Sequence, residues 1–171
     1  MWLGVGVGAH EVGNVRIGVL AYHANGPVAE TDTGQEIEFV RKVDITYAMG
    51  DGSIIEDYPE TEFIPFNLQF PRQFAKGPTA RLFIATGHGD SMEPTLRRDD
   101  LVMIDGSQNR IAHQDQIWAI SYAGAGMIKR VRRLSGGRLQ ILSDNTSVPS
   151  MDAAEDEVYV VGKVVWSARL M

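Results

Sequence analysis

From Ala80 to the C-terminus, apolar positions fall in short runs cut by turn-forming residues: RLFIATG, DLVMID, DQIWAISY, GMIKRVRRL, RLQILS and VYVVGKVVWSARL. Gly, Asn, Asp and Ser separate them. Runs of that length, rich in Ile and Val and bounded by such residues, predict strands rather than helices. Repeated at this spacing they predict a mostly β domain of short strands, hairpins and meanders, with one or two short helical turns. Residues 39–48, FVRKVDITYA, predict another strand and MGDGS a turn, whereas the prolines of IIEDYPETEFIPFNLQF interrupt regular structure. A short helix fits around Pro71 to Lys76. Residues 1–38 alternate short apolar patches with Gly, Asn, Pro and Thr and lack two capped amphipathic helices, which predicts a leader or linker with one or two strands. The expected organisation is therefore a leader or linker over 1–38, an intermediate segment over 39–79 and the β-rich domain over 80–171.

Composition narrows the function classes. A chain of 171 residues with 44% apolar content is long enough to bury a core. It contains no uncharged apolar run of bilayer length, and its start has neither a basic n-region nor an A-x-A site, so a cytoplasmic protein without a membrane anchor is expected. The absence of cysteine excludes disulfides, thiol catalysis and thiolate metal sites. A net charge of −6 argues against the bulk of the chain being a nucleic-acid surface.

One break between two strands carries candidate chemistry. In GHGDSMEPTLRR, residues 87–98, Asp90 or Ser91 is placed to cap a helical turn, with Pro94 early where proline is tolerated. Backbone N–H groups at such a turn can serve as an oxyanion hole beside the Ser91 hydroxyl. A plain capping role fits the same stretch. A nucleophilic serine needs a base, and the histidines give no convincing triad: His10 and His23 lie in the leader, His113 in a turn, and His88 has no carboxylate spaced to orient it. A lysine made neutral by burial is the other option. In GMIKRVRRL, Lys129 shares a strand face with Met127 and Val131, whereas Arg130 and Arg132 share the opposite face. A solvated basic strand is the competing reading.

GDSMEPTL followed by RRDDLVMID, DQIWAI, GMIKRV, LQILSDN and VYVVGKVVWSARL resembles, block by block and in order, the C-terminal Ser-Lys domain of LexA, phage CI-type repressors and UmuD. The resemblance covers residues 80–171 closely and 40–79 more loosely. It implies a LexA/signal-peptidase-like fold, Ser91 as nucleophile, Lys129 as general base and an oxyanion hole from the backbone of Asp90, Ser91 and Met92. No cofactor or metal is expected. Signal peptidases share the serine block and the dyad, but they carry a membrane anchor.

The reaction implied is self-cleavage of an upstream loop, commonly at an Ala-Gly or Cys-Gly bond, making the chain a serine endopeptidase acting on itself. Here the corresponding stretch is TYAMGDGS, and the candidate scissile bond is Met49-Gly50, with methionine where the resemblance expects a small residue. Ala123-Gly124 and Ala125-Gly126 read instead as a hairpin turn. The resemblance implies the regulatory domain of a phage or SOS-type transcriptional repressor. The alternative is a non-cleaving dimerisation and regulator-docking module of the same fold. Implied partners are a second copy of the chain and a RecA-type filament or antirepressor. DNA would be reached only through a helix-turn-helix domain, which residues 1–38 do not resemble; the chain is then a truncated form or, like UmuD, has the protease-like domain only.

His88, Asp90, Glu93, Asp99 and Asp100 form a cluster whose spacing matches no zinc or calcium loop, and Asp99 and Asp100 read as a turn before the next strand. Trp118 and Trp166 read as core or interface aromatics rather than base-stacking platforms.

Overall fold

A computed structural model describes residues 10–12, 15–23, 26–31, 36–43, 62–67, 69–87 and 89–169. The strands in chain order are β1 (His10–Val12), β2 (Val15–His23), β3 (Gly26–Thr31), β4 (Glu36–Val43) and β5 (Glu62–Asn67). After helix α1 (Gln69–Arg72) come β6 (Leu82–Thr86), β7 (Leu101–Asp105), β8 (Gln116–Tyr122), β9 (Ala125–Leu134), β10 (Arg138–Leu142), β11 (Met151–Ala154) and β12 (Val158–Ala168). As expected, the described fold is mostly β, with α1 and two single 3-10 turns as its helical parts. No helix among the described residues is long and apolar enough to cross a membrane.

The strands join in the order β1-β2-β3-β4-β6-β7-β12-β8-β9-β10-β11, with β5 added on β4. All pairings are antiparallel except β4 with β6. The long β12 is the seam, pairing β7 along its C-terminal half and β8 along its N-terminal half. Register shifts between Val160 and Gly162 and between Val164 and Trp166 let it serve both. Gly162 is required there, because a Cβ would lie 2.7 Å from the Asp105 carbonyl oxygen.

Both faces of the β6-β7 layer are covered, so these strands read as continuous apolar runs rather than as an alternation. Phe83, Ala85, Val102 and Ile104 pack on one face with Met92 and Leu96. Leu82, Ile84 and Met103 pack on the other with Val40, against which the half-buried Phe74 and Trp166 also pack. A third cluster, including Trp118, Ile120, Val131, Leu139 and Ile141, holds β8, β9 and β10 together.

Three local differences from expectation have simple causes. Pro65 lies inside β5 instead of breaking it, because among the described residues β5 pairs only with β4 and a sheet-edge strand tolerates a missing donor. The helix expected from Pro71 starts at Gln69, whose N–H is taken by the Asn67 side chain at 3.0 Å, leaving Pro71 within its first turn. The short β11 was not expected; MDAA has too few apolar positions to carry a strand pattern.

Beside β7, Asp105 is fully buried, and its carboxylate accepts from the N–H groups of Lys76, Gly77 and Ser107, the Ser107 hydroxyl and the Gln108 amide. Burial pushes its pKa up, but these donors outweigh that and hold it below the ordinary carboxylate value.

Candidate active site

Residues 87–100 form a loop tied at its neck. Gly87 N–H donates to the Asp100 carbonyl at 3.0 Å, and Asp99 N–H donates to the Gly87 carbonyl at 3.0 Å. The Asp100 carboxylate receives Arg169 from beyond β12 at 2.6 and 2.9 Å and the Arg97 N–H at 2.8 Å. The Arg169 bond, set against burial and aided by the Arg97 N–H, holds the Asp100 pKa below its ordinary value. Asp99, at φ 68°, and Asp100 thus form a turn before β7, as expected.

Within the loop, Met92 and Leu96 insert into the core and Ser91 stands half-buried above them. The expected helical turn is confined to a single α-type turn, Leu96 N–H to the Met92 carbonyl at 2.9 Å, preceded by a tighter turn closed by Glu93 N–H to the Asp90 carbonyl at 3.0 Å. Pro94 has no N–H to continue a ladder between them. Asp90 is exposed.

On β9, Lys129 and Val131 are buried while Arg130 is half-buried and Arg132 exposed, which is the alternation expected from the strand. Burial lowers the Lys129 pKa from its ordinary value, and the nearby Asp90 carboxylate opposes that shift. Lys129 Nζ donates to Ser143 Oγ at 2.8 Å. A neutral lysine amine has one lone pair, so committing an N–H to Ser143 restricts where that lone pair points. Ser91 and Lys129 both line one cleft of about 210 Å³, together with Met92, Leu96, Met127 and Met151. A buried amine whose pKa is lowered, sharing a cleft with a serine hydroxyl, can act as a general base toward it once it loses its proton.

Residues Ser143, Asp144 and Asn145, after β10, brace both sides of this cleft. Ser143 holds Lys129. Asp144 takes Arg130 of β9 at 2.8 and 2.7 Å and the Thr95 hydroxyl of the serine loop at 2.5 Å. The Arg130 bond, with help from Thr95 and against burial, lowers the Asp144 pKa. Asn145 donates its N–H to the Ser91 carbonyl at 3.0 Å and its side-chain amide to the Asp90 carbonyl at 3.2 Å. These bracing roles were not foreseen. The signal for Ser143 lay in register: Ser135, Gly136 and Gly137 make a tight turn, Leu142 pairs with Arg130, and one further step sets Ser143 opposite Lys129.

The structure therefore brings Ser91, Met92 and Lys129 to one cleft, with Asp90 adjoining. Met49, Gly50 and His88 lie outside the described residues. His113 is exposed and does not line the cleft. Ala123 (φ 51°) and Gly124 (φ 75°) form the two-residue turn between β8 and β9, the primed geometry that matches strand twist. Trp118 is a core residue, while Trp166 is half-buried, stacked with Phe74 and edge-on to Phe66 and Phe70.

A family model described as Peptidase S24-like matches residues 43–165. The chain is also similar to Repressor protein CI of Enterobacteria phage phi80, with 27% identity over 155 residues covering 88% of this chain and 62% of that repressor. It thus spans less than two thirds of that relative's length.

Proposed function

The chain belongs to the S24-like peptidase family, and from that premise we propose that it is the regulatory domain of a CI/LexA-like repressor that cuts its own chain through Ser91 and Lys129. The observation that carries the reading is the shared cleft, with Lys129 buried, its pKa lowered and its amine held by Ser143. Residues 80–171 are the peptidase-like part and residues 39–79 the segment that bears the cleaved bond, preceded by a leader or linker over 1–38.

In the first step Ser91 Oγ attacks the Met49 carbonyl carbon while neutral Lys129 Nζ takes the hydroxyl proton. The oxyanion is met by the backbone N–H groups around Asp90, Ser91 and Met92. The C–N bond breaks, the Gly50 nitrogen leaves with the proton carried by Lys129, and an ester joins Met49 to Ser91. Water, deprotonated by the same amine, then hydrolyses the ester and restores the serine. No cofactor is required by this scheme.

The test is intact mass of the purified chain after incubation from neutral to strongly alkaline pH, beside Ser91→Ala. Two fragments that sum to the parent plus one water, a new N-terminus at Gly50 and an inert alanine variant are expected. An intact mass at every pH overturns the reading. The second reading, a dimerisation module that docks a RecA-type filament or an antirepressor without cleavage, is favoured by the methionine at the candidate bond. As a repressor domain in the cytoplasm, it would act as a homodimer and reach DNA only through a separate helix-turn-helix domain.

A further inference from the structure

The walls of the cleft are more apolar and more adaptable than a site for a small side chain needs. Met92 and Leu96 form a buried floor, at 5% and 7% exposure. Met127 is half-buried on β9, and Met151 on β11 stands 38% exposed at the rim, one of the large apolar side chains left open to solvent among the described residues. Methionine is unbranched and polarisable, and fills irregular space against whatever apolar group enters. Gly87 and Gly89 add no side chain to the mouth, so an extended backbone can approach. Arg97, exposed on the same wall, adds positive charge.

We propose that this cleft is a specificity subsite for a long apolar side chain, methionine or leucine, placed immediately before the cleaved bond of an extended peptide, and that Met151 sets that preference. The inference rests on the self-cleavage reading above and names its substrate class. The occupant within this chain is Thr46 to Ser53, TYAMGDGS, in which Met49 supplies the apolar group and Asp51 a carboxylate complementary to Arg97. Met49 is then matched to the cleft, and is not an obstacle to cleavage.

The test uses the full chain and three synthetic peptides: Thr46 to Ser53 and its Met49→Ala and Met49→Leu versions. All are mixed in one reaction, so that competition by the chain's own segment scales every rate alike. Relative kcat/KM is read by mass spectrometry, and acylation of Ser91 by a fluorophosphonate is measured in parallel. Expected is a preference for the methionine and leucine peptides over the alanine peptide of about tenfold or more, and a smaller preference in Met151→Ala. Equal rates, faster cutting of the alanine peptide, or a preference unmoved by Met151→Ala overturns the subsite while leaving the dyad intact. Acylation of Ser91 with no peptide cut overturns the subsite as well. With neither acylation nor cleavage, the Ser-Lys reading itself falls and the subsite with it.

Discussion

Lys129 Nζ and Ser143 Oγ lie 2.8 Å apart across the β9-β10 register, so the candidate base is aimed by a residue from the neighbouring strand's end. Ser143→Ala is therefore expected to slow self-cleavage by roughly tenfold to a hundredfold, the scale set by small misplacements of reacting groups. Ser143→Thr, which keeps the hydroxyl, restores most of the rate. First-order cleavage rates across pH check this, since a merely structural role would leave the threonine and alanine variants alike.

Asp90 opposes the lowering of the Lys129 pKa. Removing its charge in Asp90→Asn lets the amine lose its proton at lower pH, so the rise of cleavage rate with pH shifts toward neutral. A profile that stays in place or moves alkaline would contradict the assignment of Lys129 as base.

Lys129→Met abolishes cleavage and stabilises the fold by about 1 kcal/mol at neutral pH, an activity-for-stability exchange common at such sites. The folded amine has the lower pKa, so its protonated form opposes folding below that value, and the penalty fades as pH rises toward the unfolded value. The gain from methionine is accordingly largest at low pH and shrinks in alkali. Urea unfolding at several pH values reads both the sign and the trend.

Asp105→Asn places an amide among donors that all point at a carboxylate. We expect a loss of about 3 kcal/mol, the scale of charged, buried hydrogen bonds. The folded pKa of Asp105 is depressed, so its contribution is present above the unfolded carboxylate value and lost as pH falls through the folded one. The gap between native and variant stability therefore narrows in acid, as paired denaturation curves at neutral and acidic pH would record.

Much of this was legible in the residues. The alternation in GMIKRVRRL places Lys129 inward and Arg132 outward because a β-strand has no other way to divide polar from apolar neighbours. The six runs after Ala80 became strands because turn residues bound each of them. Pro65 misled because edge position, which excuses a proline, is a property of the sheet and not of the segment. At Ser91, capping residues and an early proline predict a helical turn, and the chain there closes into short hydrogen-bonded turns that do not extend into a helix. Asp144 and Asn145 gave no local signal at all, since their partners Thr95, Arg130, Asp90 and Ser91 are distant in sequence.

The bracing by Ser143, Asp144 and Asn145 gives the site a thermal limit of its own. The candidate nucleophile and base ride on separate parts of the chain, and their mutual placement is set by a loop tripeptide that lies outside the regular ladder of the sheet. Loops of that kind open with less free energy than core strands do. Warming should therefore disengage the two reactive groups while the sheet persists, and cleavage would cease at a temperature below the one at which the domain melts.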